Sequence, residues 1–138
     1  MSALLLALAL LMPAKAPVAG VATWYDATRH GASAWYTRPP YSLTFYVAAG
    51  PALRERWGHQ YHRRYQLRVT SPVTGRTALV WVVDWCSCHG SKRRGDEKVA
   101  DLSPALFVDL CDCKLGRGIQ RVVFSEPLAV EVERRGYR

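Results

Sequence analysis

Asp101-Leu102-Ser103-Pro104-Ala105-Leu106-Phe107 sets a carboxylate just ahead of a well-marked helix start. Ser103 is a favoured N-cap residue, and Pro104 suits the first helical position, where its missing N–H would have no partner anyway. Leu106, Phe107 and Leu110 recur at helical spacing, so the stretch predicts a helix over 103–112 with one apolar face. Asp101 then sits at the mouth of a rigid element, near the positive end of its dipole. The plainer reading of such an aspartate is a second capping group or a buried hydrogen-bond acceptor.

Around this helix the chain reads mainly as strands. Val21 to Tyr25 is β-branched and aromatic, and residues 26–42, rich in Gly, Pro, Ser and aromatics, read as a long loop. Leu43 to Ala48 reads as a second strand, then Ala49-Gly50-Pro51 as a turn with a short segment to Trp57. Tyr65 to Thr70 alternates apolar and polar residues, and Ser71-Pro72-Val73-Thr74-Gly75 has turn chemistry. Thr77 to Asp84 is apolar almost throughout and is expected to be buried on both faces. The segment from Cys86 to Val99 carries Lys92-Arg93-Arg94-Gly95-Asp96-Glu97-Lys98 and is expected to be exposed. Gly116-Arg117-Gly118 reads as the helix stop, and Ile119 to Phe124 as a closing strand. This order predicts an all-β fold, a small closed β-barrel with one short α-helix and long loops, closure sparing the short strands sticky edges.

The chain has 138 residues, 49% apolar and 22% charged, which describes one globular domain with a modest core and excludes a disordered chain. A formal charge of +8 favours polyanions without choosing among nucleic acid, anionic membrane and an acidic wall polymer. Ala3 to Met12 is an unbroken apolar run too short to span a bilayer, followed by an Ala14-x-Ala16 small-residue site. Residues 1–20 therefore read as a secretory signal peptide, 21–126 as the barrel domain and 127–138 as a charged tail. The expected location is outside the cell, secreted or periplasmic and wall-associated.

Four cysteines form two Cys-x-Cys pairs, Cys86/Cys88 and Cys111/Cys113. An even count in a small exported chain favours disulfides. Closure within a Cys-x-Cys unit is strained, so the expected bonds run between the pairs and staple the 86–88 loop to the end of the helix. The rival is a structural zinc site with four thiolates.

Several of these segments resemble a known group. Gly20-Val21-Ala22-Thr23-Trp24-Tyr25 is similar to the opening strand of RlpA-like (rare lipoprotein A) barrels, commonly Gly-x-Ala-Ser-Trp-Tyr. Ala48-Ala49-Gly50-Pro51-Ala52-Leu53 falls where that family has Ala-Ala-x-x-x-Leu. The run from Thr74-Gly75-Arg76 into Val80-Trp81-Val82-Val83-Asp84 resembles its strand ending in Asp, and Asp101 to Phe107 resembles its Asp-Leu-Ser-x-x-Ala-Phe helix start. Expansin-like and barwin-like barrels share the last two motifs. The resemblance implies a six-stranded double-psi β-barrel with a groove for cell-wall glycan. It also implies lytic transglycosylase chemistry, in which Asp101 serves as acid and then base, with Asp84 in support. The family's early-loop Glu is absent from His30-Gly31-Ala32-Ser33-Ala34-Trp35-Tyr36, and Asp84-Trp85-Cys86-Ser87 replaces its Asp-Arg-Gly-Pro. Those departures bring the chain closer to expansin-like proteins, which loosen or bind walls without cutting glycosidic bonds.

Trp24, Tyr25, Trp35 and Tyr36 cluster by the early loop and are the candidate glycan-stacking residues, with the core as the alternative for Trp24. His30, His59, His62 and His89 lack metal-ligand spacing, and His89 beside Cys88 suggests only a remote Cys–His nucleophile. Arg54, Arg56, Arg63, Arg64 and Lys92-Arg93-Arg94 show no recognition-helix pattern. The expected partner is thus cell-wall glycan and not nucleic acid. No membrane anchor, metal or cofactor is called for, and the chain is expected to be a monomer.

Overall fold

The computed structural model describes residues 14–27, 44–59, 65–88, 92–93 and 96–128. The strands are β1 Val18–Trp24, β2 Tyr46–Ala49, β3 Tyr65–Thr70, β4 Thr77–Trp85, β5 Lys92–Arg93, β6 Asp96–Leu102 and β7 Gln120–Ser125. Two short helices accompany them, α1 Pro51–Trp57 and α2 Pro104–Cys111, with a 3-10 turn at Leu115–Arg117. The strand order β1-β7-β3-β4-β2-β6 closes through a β1–β6 pairing, which makes a six-stranded barrel. β5 pairs only with β6 and stays outside the ring. Two pairs, β1–β6 and β2–β4, are parallel, and the rest of the ring is antiparallel.

Alternation fills the interior. Leu67 and Val69 on β3, Val80 and Val82 on β4, and Val122 and Phe124 on β7 point into one core with Leu102 of β6. Helix α2 adds Leu106, Phe107 and Leu110 to it, and α1 adds Leu53. Strand β4 is also covered on its other side, where Val83 and Trp81 meet Tyr46, Ala27 and Tyr25. Burial on both faces, expected for this strand, holds over Val80–Val83.

β6 departs most from the sequence reading. The segment through Val99 was expected to be exposed, yet Val99, Ala100 and Leu102 are fully buried and β6 closes the ring. Its charged first half hides the pattern, because the apolar residues begin only at Val99. The close fit comes from two glycines. A Cβ on Gly20 would lie 2.5 Å from the Glu97 carbonyl oxygen and 2.5 Å from Val99 Cγ1, and one on Gly50 would lie 2.6 Å from the Val99 carbonyl oxygen. The Gly50 N–H donates to that same carbonyl at 2.7 Å.

Other boundaries also move. Val18 to Gly20, assigned to the leader by sequence, pair with Phe124, Val123 and Val122, so the barrel begins at Val18. The segment to Trp57 is a helix, opened by Pro51 in its first turn. Ser103 stands at the N-cap of α2, but its side chain does not cap: its hydroxyl donates to the Thr44 carbonyl at 2.6 Å and accepts the Tyr46 N–H at 3.3 Å. Helix α2 stops at Asp112 in the left-handed region (φ 51°), ahead of the glycines expected to end it; Gly118 (φ 74°) ends the 3-10 turn instead.

The cysteines pair within each Cys-x-Cys unit, Cys86 with Cys88 and Cys111 with Cys113, and not between the units as expected. The backbone sets their Cα atoms 5.2 and 5.1 Å apart, a span a bridge can close. The two units also pack in different places. Cys86 and Cys88 lie with Ala48 and Tyr25, whereas Cys111 and Cys113 pack against the main core. A four-thiolate zinc site has no basis in that separation.

Candidate functional site

Strand register brings Thr23, Ala48, Asp84 and Asp101 into one row. Asp101 of β6 is opposite Thr23 of β1 on one side and Ala48 of β2 on the other, and Ala48 is opposite Asp84 of β4. Residues opposite one another in register face the same side of a sheet, so the row presents two carboxylates on one face. Their strands, β4 and β6, are not adjacent in the ring; β2 lies between them. Two interstrand spacings put their Cα atoms about 10 Å apart. Register shifts at Val21/Ala22 and at Val47/Ala48 precede the row in both parallel pairs. Such irregularities commonly re-aim side chains beside functional sites.

Each carboxylate is held by donors. Asp101 Oδ1 accepts the Thr23 hydroxyl and lies 2.8 Å from Lys98 Nζ, an ion pair in which the Asp101 side chain is only 17% exposed. Asp84 Oδ2 accepts the Tyr25 hydroxyl at 3.2 Å, and Oδ1 accepts the Trp85 N–H at 2.8 Å. Asp101 is thus no helix cap. Its contacts come from strand β1 and from its own strand.

Aromatic and basic groups border the row. Tyr25 meets Tyr46 edge to face at 5.6 Å, and the Tyr46 hydroxyl accepts the Ala27 N–H at 3.0 Å. Trp85 is 41% exposed, with the Arg54 guanidinium 5.6 Å over its ring and the His59 ring 6.3 Å away. Arg54 also donates to the carbonyls of Ala49 at 2.6 Å and Cys86 at 3.0 Å, which ties α1 to the 86–88 loop. Cys86 and Cys88 pack on Ala48, and their sulfurs lie beside the Asp101 carboxylate.

Of the residues named from sequence, Asp84, Asp101 and Tyr25 come together. Trp24 faces the core, where its indole N–H donates to the Leu115 carbonyl at 3.0 Å. Trp35 and Tyr36 lie outside the described residues, as do His30, His62, His89, the apolar run Ala3 to Met12 expected to be a signal peptide, and most of the charged tail. Thr23, Lys98, Arg54 and Trp85 escaped the sequence reading as site residues. Thr23 had a signal, since it occupies the small hydroxyl position of the opening motif; Lys98 was hidden in a charge run. Elsewhere a cavity of about 180 Å³ is lined by Val21, Ser71, Thr74, Arg117, Gln120 and Arg121, and neither aspartate reaches it.

The class this geometry defines is a closed six-stranded mixed barrel with a two-aspartate row on one face. The chain matches no protein-family model, and a search of curated proteins found no match.

Proposed function

We propose that the protein is an exported, cell-wall glycan-binding barrel of RlpA-like or expansin-like kind, with the Thr23–Ala48–Asp84–Asp101 face as its sugar-binding surface. The observation that carries the reading is the row itself: four strands contribute to one face, on which two carboxylates stand and the Tyr25 hydroxyl bonds Asp84, while Trp85, the next residue along β4, is 41% exposed at the end of the same strand. Carboxylates accept hydrogen bonds from sugar hydroxyls, and an indole face stacks on the C–H face of a pyranose. Two parallel strand pairs within an otherwise antiparallel ring support the double-psi connection. The cysteine pairs support export as disulfides, and the net charge of +8 suits an anionic wall.

The second reading is lytic transglycosylase chemistry, with Asp101 as acid and base and Asp84 in support. Asp101 is fixed in place and partly exposed, as a reacting carboxyl must be. Its two contacts, the Thr23 hydroxyl and the Lys98 ammonium, both donate to Oδ1, which holds that oxygen as an acceptor. With the early-loop Glu also absent, binding without turnover is the better-supported function.

Incubation of the purified protein with peptidoglycan sacculi tests both readings. Binding is expected to co-sediment the protein, and Asp84→Asn, Asp101→Asn and Trp85→Ala are each expected to weaken it about tenfold, the scale of one charge-assisted hydrogen bond or one stacking face. Soluble anhydro-ended muropeptides, lost in Asp101→Asn, would replace binding with catalysis. No co-sedimentation and no product would remove the wall reading.

A further inference from the structure

Three ligand-type atoms converge beside the row. The sulfurs of Cys86 and Cys88, here joined to each other as a disulfide, and a carboxylate oxygen of Asp101 all lie within 4.8 Å of one another. Both cysteines are buried, and Asp101 is half-buried. The cluster joins the two-residue chelate of a Cys-x-Cys loop to an oxygen donor brought in by a different strand, so the barrel fold, and not local sequence, completes it. Thiolate with carboxylate is a donor set suited to a zinc-class divalent ion.

We infer that Cys86, Cys88 and Asp101 form, in the reduced protein, a three-ligand site for a thiolate-seeking divalent cation of the zinc class. The paired sulfurs must first be separated: two equivalents of a thiol reductant convert the pair to two thiols and are themselves joined as a disulfide. The cation then displaces the two thiol protons, which pass to solvent, and takes the carboxylate as its third ligand; one tetrahedral position is left for water. Lys98, whose ammonium lies 2.8 Å from Asp101 Oδ1, competes directly with the cation for that oxygen. Arg54 is tied to the Cys86 carbonyl and adds a second positive charge nearby. The site is therefore weaker than its donors alone would make it, and it strengthens when Lys98 is neutralised. A bound cation withdraws Asp101 from the face that the glycan reading uses, although the cation site does not depend on that reading.

Cobalt(II) titration of the full chain, reduced with a phosphine and kept anaerobic, tests the site. A thiolate-to-cobalt charge-transfer band is expected, retained in the Cys111→Ser/Cys113→Ser variant and lost in Cys86→Ser/Cys88→Ser. Asp101→Asn is expected to weaken cobalt binding about tenfold or more, as even outer-sphere partners commonly cost that much, and Lys98→Met to tighten it. Should a cysteine variant fail to fold, alkylation of the reduced wild-type protein gives the same answer: zinc should protect Cys86 and Cys88 and leave Cys111 and Cys113 open. Absence of the band in the wild type, protection of the wrong pair, or unchanged affinity in both Asp101→Asn and Lys98→Met would overturn the assignment. Sacculus co-sedimentation, measured in zinc-free buffer, stands or falls separately.

Discussion

Val99 is clamped between two glycines, and its position decides whether the ring closes. The Gly20 α-carbon faces the Glu97 carbonyl and the Val99 side chain, and Gly50 faces the Val99 carbonyl. At Gly50 the obstructing atoms are backbone, so no side chain can swing aside. Gly50→Ala is expected to destabilise the fold by about 2–3 kcal/mol or more, and Gly20→Ala by a similar amount, both as overpacking and both read as a lower denaturant midpoint. Equal midpoints for wild type and Gly50→Ala would show that β6 can shift. Tyr65 gives a pH signature. Burial pushes its phenol up to about 12, partly countered by the Arg54 guanidinium. An unfolded tyrosine ionises near pH 10, so between about pH 10 and 12 the unfolded chain has lost the proton while the folded protein still holds it. Stability is therefore full below pH 10 and falls as pH rises towards 12, by roughly 2–3 kcal/mol for this one group. Denaturation midpoints at pH 9 and pH 12 should fall less steeply for Tyr65→Phe, which also gives up the hydrogen bond to the Gly58 carbonyl.

Elements end where tertiary partners hold them, and local signals alone misplace the ends. Ser103 has the sequence of an N-cap but uses its buried hydroxyl to bind the β2 strand and its approach, at Tyr46 and Thr44. Ser103→Ala takes the hydroxyl partner from the buried Tyr46 N–H and its bond from the Thr44 carbonyl, and is expected to cost about 1–3 kcal/mol. A helix cap alone would cost about 1 kcal/mol, and Ser103→Asp, a good cap too bulky for this fully buried position, should not rescue the loss. Strand β1 makes a second case. A chain beginning at Val21 lacks the pairs of Val18 to Gly20 with β7, so its thermal midpoint should fall several degrees below that of a chain beginning at Ala14. The Cys-x-Cys units are elements as well. Peptide mapping without reduction should recover Cys86 with Cys88 and Cys111 with Cys113, and any 86–111 or 88–113 fragment would contradict the packing of these loops.

Across the whole molecule, a basic barrel presents a face with two carboxylates. The surplus charge favours approach to an anionic polymer, while the row supplies acceptors at short range. Raising salt from about 0.05 to 0.5 M shortens the screening length several-fold, so co-sedimentation with sacculi should weaken markedly while the contribution of Asp84 and Asp101 persists. Binding that ignores salt would show that the +8 charge plays no part. Closure through the β1–β6 pair brings Thr23 to Asp101, so the site and the ring share one interaction. Thr23→Val should lower both stability and sacculus binding, and Asp101→Asn binding more than stability.

Some of this was legible in the chain as written. Alternation in Tyr65 to Thr70 and the apolar runs of Thr77 to Asp84 and Ile119 to Phe124 declare strands, and Pro104 with Leu106, Phe107 and Leu110 declares the helix, because a buried face imposes its own period on the residues. Even the two carboxylates stood out beside those elements. β6 did not, since three of its first residues are charged and its burial depends on two distant glycines that let the backbone come close. Nor did the row. Thr23, Ala48, Asp84 and Asp101 become neighbours through two parallel pairs, β1–β6 and β2–β4, and the antiparallel β2–β6 pair between them, all of which join strands far apart in the chain and leave no local trace in sequence. The apolar pattern thus determined a small barrel, while register, fixed by tertiary packing, decided which residues face one another across it.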